Sequence, residues 1–249
     1  MTVINPEKIR CAIVTGSSRG IGAAVARRLA GDGYAVVVNY AGDAAPADGV
    51  VAAIEQAGGR ALAFKADVSS AADVAAMFDA AEHAFGGVDA LINSAGIMKL
   101  APLADVDDAL IDSHLAINLK GTINTLREAG KRLREGGRVV NFSSSVVGLY
   151  QESYGVYAAT KAGVEALTHV FAKELRGRGI TVNAVAPGPT ATHLFLDGKD
   201  QATIDKIANM APLGRLGEPV DIAAVVAFLA GADGGWVNGQ VLRVNGGVL

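Results

Sequence analysis

Tyr157 and Lys161 are the two residues whose types and spacing most directly suggest chemistry. They are four residues apart in a predicted helix and therefore share one helix face. A free tyrosine has a pKa of about 10 and is a poor acid–base catalyst at neutral pH. A nearby ammonium favours the phenolate, so we expect Lys161 to lower the pKa of Tyr157. Pairs with this spacing also occur by chance on surface helices, so the neighbouring segments decide the interpretation.

A run of three serines, Ser143 to Ser145, follows the apolar segment 139–142, which predicts a buried β-strand. Ligands bind at the carboxyl ends of strands in doubly wound sheets. A hydroxyl at this position would hydrogen-bond a substrate carbonyl oxygen and stabilise the negative charge that develops on it. The serine run therefore places a second candidate group just before the helix that carries Tyr157.

Residues 15–22, Thr-Gly-Ser-Ser-Arg-Gly-Ile-Gly, form a glycine-rich turn between the first predicted strand and the first predicted helix. Glycines in such a turn allow a tight bend, a close approach of the backbone to a pyrophosphate, and close packing of helix on strand. The helix N-terminus supplies free N–H groups and a positive dipole end. This context favours phosphate binding over a purely structural turn.

The end of the second predicted strand bears on which dinucleotide binds. NAD-binding sites carry an acidic residue there, which accepts hydrogen bonds from the ribose hydroxyls. Here the strand ends in Asn39 and Tyr40 and has no acidic residue at its tip, while Arg19 of the turn could pair with a 2′-phosphate. These residues favour NADP, whereas the nearby Asp43 keeps NAD open as the alternative.

The elements that must position these groups alternate between short apolar runs and longer Ala-rich helical patterns. The predicted strands are 9–15, 35–40, 61–66, 90–93, 138–143, 180–186 and 240–244. The predicted helices are 21–30, 47–57, 71–85, 106–134, 156–176 and 220–230. This alternation predicts an α/β fold, a Rossmann-type doubly wound parallel sheet of about seven strands with helices on both faces. We interpret residues 1–249 as a single dinucleotide-binding catalytic domain, with a substrate loop at about 188–212.

Composition excludes several other classes of protein. The 249 residues carry a net charge of −3, which argues against a nucleic-acid partner and gives no support to an anionic membrane partner. The single cysteine, Cys11, excludes an internal disulfide, and the four scattered histidines have no zinc spacing, so no metal site is predicted. No signal-peptide pattern and no apolar run of roughly 18 residues is found. We therefore expect a cytoplasmic protein.

Together, the glycine-rich turn, the serine-rich strand end and the Tyr-x-x-x-Lys pair resemble the short-chain dehydrogenase/reductase family, from residue 9 to residue 247. The sequence is most similar to members described as 3-oxoacyl-[acyl-carrier-protein] reductases and related carbonyl reductases. The resemblance implies four catalytic residues: Asn118, Ser144, Tyr157 and Lys161. The family's usual spacing before the tyrosine selects Ser144, whereas counting back from Gly148 selects Ser145 as the alternative.

The same resemblance implies the residues that bind the cofactor. They lie in the glycine-rich turn, at the ends of several strands and in an Asp-Val pair that meets the adenine ring. They are Gly16, Ser18, Arg19, Gly20, Ile21, Gly22, Asn39, Tyr40, Asp67, Val68, Asn93, Ala95, Gly96, Tyr157, Lys161, Pro187, Gly188, Thr190 and Thr192. The family's Asn-Asn-Ala-Gly segment departs at Ser94, which keeps a small polar group there.

The implied activity is NADP-dependent reduction of a ketone or 3-oxoacyl carbonyl to a secondary alcohol by hydride transfer. Tyr157 would exchange the proton, Ser144 would hold the carbonyl oxygen, Lys161 would bind the nicotinamide ribose, and Asn118 would position a water. The alternatives are an NAD-preferring alcohol, sugar or steroid dehydrogenase and a non-catalytic dinucleotide sensor. The resemblance also implies a homotetramer, for which an apolar interface stripe is predicted at Ala116, Ile117, Val170 and Phe171.

Overall fold

Seven parallel strands form one sheet in the computed structural model, which describes residues 9–249. The strands are β1 (Arg10–Thr15), β2 (Tyr34–Tyr40), β3 (Arg60–Lys65), β4 (Val88–Asn93), β5 (Leu133–Phe142), β6 (Thr181–Pro187) and β7 (Val241–Val244). Their order across the sheet is β3-β2-β1-β4-β5-β6-β7. This architecture confirms the predicted Rossmann-type doubly wound sheet.

Helical segments connect the strands and cover both faces of the sheet. They are α1 (Gly20–Gly31), α2 (Ala45–Gln56), α3 (Ala71–Phe85), α4 (Asp108–His114), a π-helical segment (Leu115–Lys120), α5 (Gly121–Arg132), α6 (Val146–Leu149), α7 (Gly155–Glu174), α8 (His193–Leu196), α9 (Gln201–Ala208) and α10 (Pro219–Ala230). Side-chain caps explain where several helices begin. Ser70, for example, accepts a hydrogen bond from the Asp73 amide before α3.

The core consists of two apolar layers, one on each face of the sheet. Successive residues of β1 alternate between them: Ala12 and Val14 face the layer under α1, α2 and α10, and Cys11 and Ile13 face the layer under α3, α5 and α7. Alternation along a strand sends neighbouring side chains to opposite faces. Because helices cover both faces, the central strands are continuous apolar runs, as the sequence analysis predicted.

Two predicted elements differ in the structure. The helix predicted at 106–134 is divided into α4, the π-helical segment and α5, because one turn of wider helix interrupts the regular hydrogen bonding. The strand predicted at 138–143 begins earlier, at Leu133, and contains a β-bulge opposite Val88 and Ala90. Gly136, with φ 76°, permits the left-handed conformation within this irregular stretch.

The direction in which successive strands are added to the sheet reverses between β1 and β4: β2 and β3 lie on one side of this pair, and β5, β6 and β7 lie on the other. In open α/β sheets the crevice outside the carboxyl ends of the strands at such a reversal is where ligands bind. Thr15 ends β1 and Asn93 ends β4, so the glycine-rich turn and the 93–96 segment flank this crevice. Within residues 9–249 no helix has both the length and the apolar character needed to cross a membrane.

Candidate active site at the carboxyl ends of the strands

The glycine-rich turn after β1 is packed so closely that side chains would collide with backbone. A Cβ on Gly16, whose φ is 61°, would lie 2.7 Å from the Cα of Ala95. A Cβ on Gly22 would lie 2.5 Å from the carbonyl oxygen of Gly16. Arg19 stands at the N-terminus of α1 without a side-chain cap, so the first N–H groups of this helix stay available to an anion. Close packing and an uncapped helix N-terminus are what the predicted binding of a pyrophosphate requires of this turn.

Gly22→Ala is expected to lower the free energy of unfolding by about 2–3 kcal/mol, because the added methyl overpacks the turn. Gly49→Ala is the matched control, since no atom lies within 4 Å of its Cβ position in α2. Alanine in a helix interior stabilises by roughly 0.5–1 kcal/mol relative to glycine. Urea unfolding should show a lower free energy of unfolding for Gly22→Ala and a higher one for Gly49→Ala, each relative to the wild type. A Gly22→Ala variant as stable as the wild type would contradict the close packing.

Polar side chains hold the turn from both sides. The Oδ1 atom of Asn39 accepts a hydrogen bond from the Gly16 amide at 3.0 Å, and its Nδ2 donates to the Ala66 carbonyl at 3.0 Å. The Oγ1 atom of Thr15 accepts from the Ala95 amide at 3.1 Å. The side-chain amide of Asn39 is thus hydrogen-bonded to backbone groups on both sides. Among the residues predicted to select the cofactor, the exposed Arg19 extends from the turn and the half-buried Tyr40 ends β2.

The predicted adenine side of the crevice lies beyond β3. Asp67 is exposed, and its Oδ1 accepts from the Ser69 amide at 2.8 Å. Val68 is buried against Gly121, where a Cβ would lie 2.7 Å from Cγ2 of Val68. The side chain of Asn93 donates to Oδ1 of Asn141 at 2.8 Å, so it links β4 to β5. Ala95 contacts the glycine-rich turn directly, as described above.

Asn118 lies fully buried in the π-helical segment. Its Oδ1 accepts from the Ile97 amide at 2.8 Å and its Nδ2 donates to the Ile97 carbonyl at 2.9 Å. A Cβ on Gly96 would lie 3.2 Å from this Oδ1 and 3.6 Å from Nζ of Lys161. Asn118, Gly96 and Lys161 therefore lie together in the crevice. Single π-helical turns such as the one that carries Asn118 occur often at functional sites.

Ser144, Tyr157 and Lys161 converge next to this point. Nζ of Lys161 lies 5.7 Å from the Tyr157 ring centroid and donates to the Phe142 carbonyl at 2.8 Å. The Ser144 side chain is close enough to Tyr157 to lower the pKa of the phenol. The neighbouring Ser145 is buried, and its Oγ bonds instead with the Ala186 carbonyl and with Nδ2 of Asn245, both at 3.1 Å. Of the two candidate serines, Ser144 is the one that faces the tyrosine.

Comparison with known proteins shows the family to which the chain belongs. A family profile described as enoyl-(acyl carrier protein) reductase matches residues 16–249. The chain is 46% identical to an NADPH-dependent aldehyde reductase-like protein, chloroplastic, from Arabidopsis thaliana, over 96% of this chain and 94% of that protein. The chain belongs to the short-chain dehydrogenase/reductase family. The predicted family is therefore confirmed.

Solved structures of other short-chain dehydrogenases/reductases share the whole fold. A short-chain dehydrogenase from Burkholderia cenocepacia in complex with NADP has 39% identity and a TM-score of 0.91, over 96% of this chain and 97% of that chain. The angucycline C-6 ketoreductase LanV with bound NADP has 34% identity and a TM-score of 0.91, over 96% and 95%. The likeness extends across nearly the full length of each chain.

The electrostatics of this short-chain dehydrogenase/reductase site differ from the prediction in one respect. Burial raises the pKa of Tyr157 to about 12, although the Ser144 side chain acts in the opposite direction. The expectation that Lys161 lowers the pKa of Tyr157 does not hold in this structure. The ammonium is itself desolvated, which lowers the pKa of Lys161 to about 8, and it is directed to the Phe142 carbonyl. At neutral pH Tyr157 is thus a protonated phenol, the form that donates a proton.

The loop after β6 folds back over the glycine-rich turn. Gly188 packs against Asn245, where its Cβ would lie 2.7 Å from the Cα of that residue. The Oγ1 atom of Thr190 donates to the Gly188 carbonyl at 2.9 Å. Thr192 caps α8 by accepting from the Phe195 amide, and its methyl lies 3.5 Å from the Cβ position of Gly20. The predicted substrate loop and the predicted phosphate cradle are therefore in contact.

Sequence reasoning missed three features of this site. Tyr150 and Ser153, which precede α7, have φ values of 49° and 68°, and such strain collects at functional sites. Ser143 donates to Oε1 of Glu165 at 2.6 Å, which joins the serine run to α7. His114 is fully buried beside Tyr157, whereas its isolated position in the sequence gave no signal. The contact of Ser143 with Glu165 had one signal in the sequence: Glu165 follows Lys161 by four residues and therefore lies on the same helix face.

Proposed function

We propose that this protein is an NADP-dependent reductase that converts an aldehyde or ketone carbonyl to an alcohol. The observation that carries the proposal is the convergence of Ser144, Tyr157 and Lys161 beside a glycine-rich turn in one crevice. A sensor that only binds a dinucleotide has no need for a half-buried phenol paired with a serine hydroxyl. Among residues 9–249 no group of three potential metal ligands is found, and the proposal involves none.

The residues of the chain divide the work of the reaction. When bound in the crevice, NADPH would supply the hydride for the carbonyl carbon. The phenol of Tyr157 gives its proton to the carbonyl oxygen, and the hydroxyl of Ser144 hydrogen-bonds the same oxygen as negative charge develops. Lys161 would hold the nicotinamide ribose hydroxyls and Asn118 would position a water behind it. The raised pKa of Tyr157 means that the phenol is protonated at neutral pH, which is the form that carbonyl reduction requires of a proton donor.

The residues fit NADP better than NAD. Arg19 is exposed in the glycine-rich turn, and its guanidinium suits the oxygens of a 2′-phosphate, the group that distinguishes NADP from NAD. Asp43, the residue that supports NAD, is engaged at the start of α2, where its Oδ1 accepts from the Ala45 amide at 3.1 Å. Two relatives support the same preference: one is an NADPH-dependent aldehyde reductase-like protein, and one is a short-chain dehydrogenase in complex with NADP.

Arg19→Ala is expected to raise the KM for NADPH by roughly 10- to 100-fold, the effect of losing hydrogen bonds to a charged group, and to leave the KM for NADH unchanged. Arg27→Ala, an exposed arginine two turns along α1, is the matched control. Absorbance at the reduced nicotinamide band measures both cofactors with a panel of aldehydes, ketones and 3-oxoacyl thioesters. Equal effects on the two cofactors would contradict NADP selection. Binding of both cofactors without consumption of either would favour the dinucleotide sensor.

The substrate proposed from the surrounding loops is a largely apolar carbonyl compound. The sequence predicts substrate contacts in segments 98–103 and 149–153 as well as in the loop 188–212. Exposed apolar or aromatic side chains lie in these segments or directly beside them: Leu103, Tyr150, Leu194 and Leu213. Pockets for small ligands are lined mainly by apolar side chains, with few polar groups for orientation. Cytoplasmic location remains a prediction, and one relative is named as chloroplastic.

The homotetramer also remains a proposal. Of the predicted interface residues, Val170 is exposed, whereas Ile117 and Phe171 pack against the core of their own chain and Ala116 is half-buried. Exposed Leu115 and Ile123 belong to the same helical layer. Sedimentation velocity of the purified protein tests the assembly.

A further inference from the structure

His114 is a fully buried histidine beside Tyr157 that no step of the proposed reaction uses. Its ring centroid lies 6.3 Å from that of Tyr157, with the ring planes at 80°, so the two rings meet edge to face. Nδ1 lies 2.8 Å from the Leu110 carbonyl oxygen, and Nε2 accepts from the Lys99 amide at 3.1 Å. Because the carbonyl only accepts and the amide only donates, the ring carries its hydrogen on Nδ1.

These contacts join three parts of the site. His114 and Asn118 are four residues apart, on either side of the transition from α4 to the π-helical segment. Asn118 binds both backbone groups of Ile97, and His114 binds the amide of Lys99. The last residue of α4 and a residue of the π-helical segment therefore bind the backbone of Lys99 and Ile97. The same histidine ring contacts Tyr157 on α7.

We propose that His114 is a positioning residue whose ring orients Tyr157 and whose Nε2 holds the segment 97–99 at the substrate side of the crevice. The proposal rests on the proposed function, in which Tyr157 is the proton donor and Met98 lies in a segment that contacts substrate. A side chain with both polar atoms bonded to backbone has a fixed rotamer, which is the requirement for supporting a catalytic group. Displacing a reacting group by about 1 Å lowers turnover by as much as ~100-fold.

Two variants separate the two contributions. His114→Gln supplies a donor and an acceptor but removes the ring, so kcat is expected to fall by roughly 10- to 100-fold while the KM for the carbonyl substrate changes little. His114→Phe keeps a ring but leaves the Lys99 amide without its hydrogen-bond acceptor. The KM for the carbonyl substrate is therefore expected to rise by roughly three- to tenfold, and kcat is expected to change less. The exposed His83 on α3 provides the matched controls, His83→Gln and His83→Phe, in which both constants should stay at wild-type values.

Two measurements report on His114 without turnover. With the five tyrosines labelled at Cζ with carbon-13, the Tyr157 resonance is assigned by its loss in Tyr157→Phe and should shift in His114→Gln but not in His83→Gln. Amide exchange of Lys99 should accelerate in His114→Phe, and this readout remains if His114→Gln fails to fold. An unmoved Tyr157 resonance, unchanged Lys99 exchange, or parallel changes in kcat and KM in both variants would overturn the proposal. Absence of wild-type turnover would refute the proposed function instead, since the resonance and the exchange rate still test His114.

Discussion

Tyr157→Phe is expected to lower kcat for carbonyl reduction by about 10²- to 10⁴-fold, the contribution of a positioned general acid. The substitution removes one phenol oxygen and keeps the ring, which contacts His114 and Tyr154. The dissociation constant for NADPH should therefore change far less than kcat. Steady-state kinetics and fluorescence titration of NADPH measure the two quantities on the same preparation.

The control is Tyr154→Phe, which deletes the same atom from a ring whose centroid lies 6.4 Å from that of Tyr157. Burial also raises the pKa of Tyr154, so the two phenols share that part of their environment. Tyr154 differs in that the Ser144 side chain does not act on its phenol. Near wild-type kcat is therefore expected for Tyr154→Phe. Losses of similar size in both variants would assign the effect to ring packing rather than to proton transfer.

Lys161→Met is expected to abolish most activity and at the same time to stabilise the fold. Burial lowers the pKa of Lys161 to about 8 from 10.5, and each unit corresponds to about 1.4 kcal/mol between the two protonation states. The charged ammonium thus destabilises the folded state, and its hydrogen bond to the Phe142 carbonyl offsets part of this. Replacing the charge with an apolar side chain of similar length should raise the free energy of unfolding at pH 7 by about 1–2 kcal/mol.

The pH dependence of this stabilisation has a definite sign. A folded-state pKa below the unfolded-state value means that the penalty is complete below pH 8 and is relieved as the pH rises toward 10.5. The advantage of Lys161→Met should therefore shrink at alkaline pH. Urea unfolding of both proteins at pH 7 and at a pH between 8 and 10.5 measures the difference in free energy of unfolding between the variant and the wild type at each pH. Other titrations, such as that of buried Cys11, cancel in this comparison. A variant that is less stable than the wild type at pH 7 would contradict the argument.

The fold was predictable because its signals are local and repeat along the chain. Continuous apolar strands such as β1 and β2 alternate with helical patterns, and this alternation implies parallel crossovers. The interruption of the predicted helix 106–134 was not predictable. A π-helical turn depends on how Asn118 and its neighbours meet the segment 97–99, and that contact joins residues about twenty positions apart.

The candidate site was predictable to the level of residue types but not of their electrostatics. The spacing of Tyr157 and Lys161 indicated proximity, and the structure brings them together. The sign of the pKa change depends on burial, which adjoining elements supply and the spacing does not encode. The same limit applies to Asn39, which the family resemblance implies as a cofactor-binding residue. Its side-chain amide hydrogen-bonds to backbone groups of the glycine-rich turn and of residues 64–66, which no local pattern reveals.

The π-helical segment Leu115–Lys120 also sets the rotational phase between the helices on either side of it. Each residue of an α-helix advances the side chain direction by about 100°. A segment with one extra residue in its turn therefore turns α4 by about that angle relative to α5, compared with one uninterrupted helix. His114 and Asn118 thereby reach the backbone of segment 97–99, while Gly121 keeps its packing on Val68. Deleting a single residue from this segment would restore a regular helix and would have to turn either the histidine or the glycine away from its partner.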